Sequence, residues 1–176
     1  IDIIFTREPG GTPIGERIRS IILDRDCAEM DDMTEAMLYA AARAQHVVQV
    51  IRPALLAGKI VICDRFVDSS IAYQGYGRGL GEAVSVINDY AVCGCLPDVT
   101  FLMKMDPRVG RRRINVQQQD RLEREKDDFH VRTYEGYLEL EKKYPGRIVG
   151  IDAARSIEEI KIDIYKKLEE VLKGVT

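Results

Sequence analysis

The stretch Ile60-Val61-Ile62-Cys63-Asp64-Arg65-Phe66-Val67-Asp68-Ser69-Ser70-Ile71-Ala72-Tyr73-Gln74 decides the fold. A short, largely β-branched apolar run stops at an acid and an arginine, and hydroxyl and amide side chains then recur at helical spacing. Buried strands of open parallel sheets read as continuous apolar runs, and ligands bind beyond their carboxyl ends. Asp64 and Arg65 fall at that edge. An aspartate there can hold a hydrated Mg2+, and a planar guanidinium beside it suits a bidentate grip on phosphate. The stretch therefore reads as strand, phosphate-handling edge, helix. The plainer alternative makes Asp64 a helix cap and Arg65 a surface residue, and a strand-end Asp-Arg taken alone favours it.

A second segment shifts the balance. Residues 1–5 form another apolar run, followed by Thr6-Arg7-Glu8-Pro9-Gly10-Gly11-Thr12-Pro13 with its arginine, acid and paired glycines. Two strands ending in charged, loop-rich segments can converge on one crevice. Around them the periodicity predicts helices over 14–23, 32–56, 82–92, 126–143 and from about 157 to 173, and strands over 59–63, 99–103 and 147–151. Asp32 with Glu35, and Ser156 with Glu159, have capping-box spacing. Asp106-Pro107 reads as an N-cap followed by a proline at the first helical position. Residues 115–119 are polar and lack an apolar period. The alternation of strand and helix implies an α/β fold, a parallel sheet with helices on both faces, in a single domain spanning 1–176.

Composition narrows the classes. The chain has 176 residues, 45% hydrophobic and 31% charged, enough to bury one core and without the signature of disorder. A net charge of −3 offers no broad basic field for a duplex, which disfavours nucleic-acid binding. Cys27, Cys63, Cys93 and Cys95 lack Cys-x-x-Cys spacing, with only His46 and His130 to join them in a metal site. They read as reduced packing thiols. No run is long and apolar enough for a membrane span, and a cytoplasmic location is expected.

Several further spacings carry chemistry. Tyr39 and Arg43, Ser69 and Tyr73, and Ser70 and Gln74 are each four apart, so on helices they project as neighbours. A ring and a guanidinium together can grip a base. Ser69 could equally cap a helix.

Together with Tyr39-Ala40-Ala41-Ala42-Arg43 and Asp120-Arg121-Leu122-Glu123, the order of these motifs resembles the bacterial thymidylate kinases over nearly the whole chain. The resemblance implies a P-loop, nucleoside monophosphate kinase fold, and transfer of the ATP γ-phosphate to dTMP with Mg2+. It makes Tyr39 the aromatic that stacks on thymine and Arg43 the donor to a base carbonyl. Arg65 binds the monophosphate, Ser70 and Gln74 meet the base, and Tyr73 packs where a 2′-hydroxyl would fit. Arg7, Pro9 and Arg19 lie along the same site, and Ser69 is either a contact or a cap. Asp64 and Glu8 stand near the reacting phosphates and Mg2+, and Glu123 matches an acid near acceptor and metal. The segment of about 111–124 resembles the lid that closes over ATP, with Arg111 and Arg113 toward the nucleotide. The catalytic arginine is Arg113, Arg121 or one outside these residues. Asp152-Ala153-Ala154 matches the loop that passes the adenine, and a homodimer through helix faces is implied. The family also opens with a strand, a Gly-x-x-x-x-Gly-Lys-Ser/Thr loop and a helix, and no such loop occurs in this sequence. Ile1 resembles the family's second strand. The expectation is therefore that a strand-loop-helix unit of roughly 30 residues precedes it, and that residues 1–176 alone turn over poorly. A kinase for another nucleoside monophosphate, or a binder without catalysis, are the alternatives.

Overall fold

Residues 2–111 and 119–173 are described by the structure, a computed structural model. Strand β1 (Ile3–Arg7) pairs in parallel with β2 (Ile60–Asp64), in a register that sets Ile3 beside Ile60 and Arg7 beside Asp64. The ladder continues one step, with Glu8 N donating to Asp64 O at 3.0 Å. Two acids and an arginine thus reach one strand edge together.

A parallel pair needs a helical crossover. Here α1 (Pro13–Leu23) starts with Thr12 as N-cap, its hydroxyl accepting from Gly15 N at 2.9 Å, and with proline at the first position. Helix α2 (Asp32–His46) is capped by Asp31, whose Oδ1 accepts from Met33 N at 2.9 Å and Thr34 N at 3.3 Å. This corrects the expected Asp32/Glu35 capping box: the cap lies one residue earlier, and Glu35 turns inward and is fully buried. The helix widens into a π-helical stretch (Val47–Ile51) before α3 (Arg52–Leu56). Pro53, with no N–H and a ring that crowds the preceding turn, gives that widening its physical reason.

After β2, α4 (Val67–Ser70) runs straight into a second π-helical stretch (Ile71–Gly77), and α5 (Glu82–Val92) follows. Strand β3 (Thr100–Lys104), α6 (Pro107–Arg111), α7 (Asp127–Lys143), β4 (Ile148–Asp152) and α8 (Ile157–Lys173) complete the order. Asp106 caps α6 through Arg108 N, and Ser156 and Glu159 cap α8 reciprocally, as their spacing predicts.

Strands β3 and β4 are again parallel, Thr100 beside Ile148 and Lys104 beside Asp152. Among the described residues the strands form two separate pairs, whereas the sequence implied one sheet. The β1 and β2 runs, read as buried, are correspondingly open: Phe5 is 74% exposed and Ile62 44%. Side chains join the two pairs instead. Arg147 forks onto Asp68 with bonds of 2.6 and 2.7 Å, and Thr100 Oγ1 donates to the same carboxylate at 3.0 Å. Buried Ala72, Leu140 and Ile148 pack beside this fork, with Ile71, Tyr73, Leu102, Tyr137 and Tyr144 around them. Helix α7 approaches the second π-helical stretch so closely that a Cβ on Gly136 would lie 2.7 Å from the Tyr76 ring. Only glycine permits that contact.

Candidate active site

A cavity of about 340 Å³ opens beyond the carboxyl ends of β1 and β2. Arg7, Glu8 and Pro9 line it from the β1 edge, Asp64 and Arg65 from the β2 edge, and Tyr39 and Arg43 from α2. Ser69, Ser70, Tyr73 and Gln74 line it from the helix after β2, Arg19 from α1, and Glu123 from the segment before α7. All ten residues expected at a monophosphate site therefore border one space.

Arg43 is 2% exposed and held on three sides. Its Nε donates to Glu8 Oε2 at 2.7 Å and its Nη1 to Ser70 Oγ at 2.9 Å and to Asn88 Oδ1. Its guanidinium carbon stands 5.5 Å from the Phe66 ring centre. Behind it, Glu8 Oε1 meets His46 Nδ1 at 2.9 Å, and His46 Nε2 meets Thr6 Oγ1 at 2.7 Å. A buried guanidinium must be paired, and Glu8 is the partner that makes its burial tolerable. Gly11 closes against the back of this chain, where a Cβ would sit 2.7 Å from the His46 ring.

This arrangement gives Glu8, expected near the metal, a second task. It is 4% exposed and its two oxygens are engaged by Arg43 and His46, so it orients Arg43. Among the described residues no group of three or more His, Cys, Asp or Glu is placed to hold an ion. A magnesium ion that keeps most of its waters needs only one or two carboxylates alongside phosphate oxygens. Asp64, exposed at the strand edge, and Glu123 both face the cavity and fit that requirement.

Arg65 stands at φ +64°, which carries its side chain out of the strand and over the Tyr73 ring, 5.3 Å from the centroid. Its Nη1 reaches Tyr137 Oη at 3.4 Å, and that hydroxyl donates to Ser69 Oγ at 2.8 Å. Burial, against the nearby Arg65 charge, pushes the Tyr137 phenol up to about 12, so it stays a donor. Ser69 lies inside α4, whose N-cap is Phe66, and it makes no cap. Tyr73 is fixed by edge contacts with Phe129 and Tyr137, at 6.0 and 6.3 Å between centroids. Arg7 and Arg19 both donate to Pro9 O, at 3.3 and 3.0 Å, so two guanidinium groups meet at the cavity rim. Burial pushes the Tyr39 phenol above its usual range and leaves it a neutral ring.

Arg121, one candidate for the catalytic arginine, is bonded to protein groups. Its Nη2 pairs with Glu35 and its Nε donates to Ile22 O at 2.9 Å, and it does not line the cavity. A buried carboxylate has captured it. Arg112 and Arg113 lie outside the described residues, as does the side chain of Arg111 and most of the expected lid. Asp152, Ala153 and Ala154 close β4 away from this cavity, Ala153 N donating to Lys104 O and Ala154 N to Asp152 Oδ1, each at 2.9 Å.

Several residues of the site escaped the sequence reading. His46 is three residues from Arg43 on one helix face, a spacing that could have revealed it. Phe66 directly follows Asp64-Arg65. Asn88 and Glu35 carry no local signal beyond a polar residue at a position facing inward. Leu23, Pro107, Asp120, Leu122 and His130 also border the cavity.

Comparison with known proteins accords with this geometry. The thymidylate kinase family model matches residues 1–164. A thymidylate kinase of Halalkalibacterium halodurans is 49% identical over 98% of this chain and 84% of its own length. One from Pediococcus pentosaceus is 50% identical over 97% of the chain and 83% of its length, and one from Latilactobacillus sakei 53% over 90% and 76%. With a family match over most of its length and relatives near half identity, the chain belongs to the thymidylate kinase family.

Proposed function

We propose that this chain transfers the γ-phosphate of ATP to dTMP, yielding dTDP and ADP. The observation that carries the reading is the single cavity in which a buried, fully oriented Arg43 and Gln74 face the same space as Arg65, Arg7 and Arg19. The lining combines a ring, a buried donor and an amide suited to a base with cations suited to a phosphate. In this reading Tyr39 stacks on the thymine, Arg43 donates to a base carbonyl, and Ser70 and Gln74 complete its edge. Tyr73, immobilised by its ring neighbours, fills the space of a 2′-hydroxyl. Arg65 grips the monophosphate, with Arg7 and Arg19 adding charge from the Pro9 loop and Ser69 held beside it by Tyr137.

The acceptor is already an anion, so the protein's work is positioning and charge neutralisation and no strong general base is needed. Asp64 and Glu123 would hold Mg2+ directly or through its waters, and that ion would supply charge neutralisation at the phosphates. The reading places Arg111 and Arg113 over the ATP and the adenine along 152–154. It also draws the cradle for the donor's phosphates from outside the 176 residues, because they hold no Gly-x-x-x-x-Gly-Lys-Ser/Thr loop. It includes a homodimer, for which exposed Met37, Val86 and Tyr90 on the neighbouring helices α2 and α5 offer an apolar surface, and a cytoplasmic location. Among the described residues no helix is long and apolar enough to cross a membrane.

A coupled assay of ADP release with dTMP, dUMP, UMP and dCMP tests the proposal on the 176-residue chain and on one extended by a strand, glycine-rich loop and helix. The expected result is dTMP-dependent release, modestly above dUMP, since a missing methyl is worth only about 1–3 kcal/mol, and far above UMP. UMP turned over as well as dTMP would point to a kinase for another monophosphate. Binding of dTMP without turnover by either chain would leave a non-catalytic binder.

A further inference from the structure

The two amide atoms of Gln74 stand in opposite circumstances. The residue is 1% exposed and lines the cavity, and its Nε2 donates to Glu35 Oε1 at 2.8 Å. Its Oε1 is buried with no hydrogen-bond partner. A glutamine amide turned over keeps its shape, so its neighbours settle which end points where. An ionised carboxylate only accepts and can meet only the nitrogen end.

Glu35 is held in that ionised state. It is fully buried, yet Arg78 donates to it through Nε at 3.3 Å and Nη2 at 2.9 Å, and Arg121 through Nη2. Burial alone would raise its pKa, but the bonds from Arg78, Gln74 and Arg121 outweigh it and keep the carboxyl below its ordinary value. The amide of Gln74, a residue that borders the cavity, is therefore locked with its nitrogen on Glu35 and its carbonyl turned away from that carboxylate. A buried acceptor left without a partner is costly, and an empty ligand site is where such an atom finds its explanation.

We propose that Glu35 is a positioning residue for base selection, holding the nitrogen of the Gln74 amide so that its carbonyl is committed to the cavity as an acceptor. The inference rests on reading this cavity as the dTMP site. Thymine presents an N3–H donor flanked by carbonyls. Cytosine presents a bare N3 acceptor beside an amino group. Arg43 offers donors only and the locked Gln74 an acceptor, so the pair matches a carbonyl next to an N–H and mismatches the cytosine edge at both places. A free glutamine could serve either base. Selectivity thus resides in the carboxylate behind it, which never touches the ligand.

Glu35→Gln tests this, because a second amide presents either an oxygen or a nitrogen and lets Gln74 turn over. The quantity to measure is the ratio of dTMP to dCMP dissociation constants by titration calorimetry. A partial folding defect lowers the binding stoichiometry and leaves that ratio unmoved. The expected result is a ratio reduced at least about tenfold, the scale on which sites built around hydrogen bonds discriminate. An unchanged ratio overturns the inference. Should the single variant fail to fold with two arginines unpaired, Glu35→Gln with Arg121→Gln removes surplus charge and is read the same way. The unmutated protein gives an independent reading: N3-methyl-dTMP, which has no N3–H, is expected to bind at least about tenfold more weakly than dTMP. Equal binding would mean that no acceptor waits at N3 and would overturn the inference too. Failure of the unmutated protein to bind dTMP at all would instead defeat the functional reading beneath it.

Discussion

Arg65 shows what one residue contributes. A non-glycine at φ +64° is strained, by roughly 1–3 kcal/mol, and here the turn takes the guanidinium off the strand and across Tyr73. Arg65→Ala is expected to weaken dTMP binding tenfold or more by calorimetry, since one charge-assisted bond is worth about 1.5–3 kcal/mol. Its melting temperature is expected to stay near the parent's, the side chain being exposed. Arg65→Gly is expected to lose the same affinity yet melt above Arg65→Ala, because glycine relieves the backbone. Equal melting of the two would show that the turn stores no strain. Glu35 predicts a pH dependence. Burial raises its pKa, but the bonds led by Arg78 lower it on balance below the ordinary 4.5. A carboxylate depressed in the folded state stabilises the fold above its unfolded pKa and loses that contribution as pH falls through the folded one. The stability difference between the parent and Glu35→Gln, from urea melts, is therefore expected to be flat from pH 7 to about 5 and to shrink below about 4.5.

At the scale of elements, α7 and the second π-helical stretch are fitted to each other through Gly136. A Cβ there meets the Tyr76 ring at 2.7 Å, and overpacking of this kind costs about 1–3 kcal/mol. Gly136→Ala is expected to lower the urea midpoint by that much, and to weaken dTMP binding as well, since Tyr73 and Gln74 belong to the displaced stretch. The same elements show what the chain discloses by itself. Asp106-Pro107, Ser156 with Glu159, and the pairs Tyr39/Arg43 and Ser70/Gln74 were legible because each signal lies within one helical turn. Adjacent Asp31 and Asp32 offered two registers for one cap, and nothing local chose between them. Glu8 with His46, Arg43 with Asn88 and Glu35 with Arg121 are separated by 38, 45 and 86 positions. Contacts of that span exist only once the fold does, which is why the partners of Glu8 and Arg121 were not legible in the sequence. Strand pairing has the same character, so direction was readable and the division into two pairs was not.

Across the whole molecule, the β1/β2 part and the β3/β4 part meet through side chains: the Asp68 fork, the layer of tyrosines and the carboxylate of Glu35. The cavity lies on that seam. Arg7, Arg43 and Arg65 border it from the first part, Asp120, Leu122, Glu123 and His130 from the second, and no residue of β3 or β4 touches it. A nucleotide lodged there is consequently a fastening between two bodies as well as a substrate. Mass action gives such a ligand about 2.7 kcal/mol of added stability at a hundredfold excess over its dissociation constant. If the parts open together, that gain must reach strands the ligand never contacts. Amide hydrogen exchange with saturating dTMP is then expected to slow in 100–104 and 148–152 as well as in 3–7 and 60–64. Protection confined to the latter two would mean that each part breathes on its own, with the nucleotide securing only one of them.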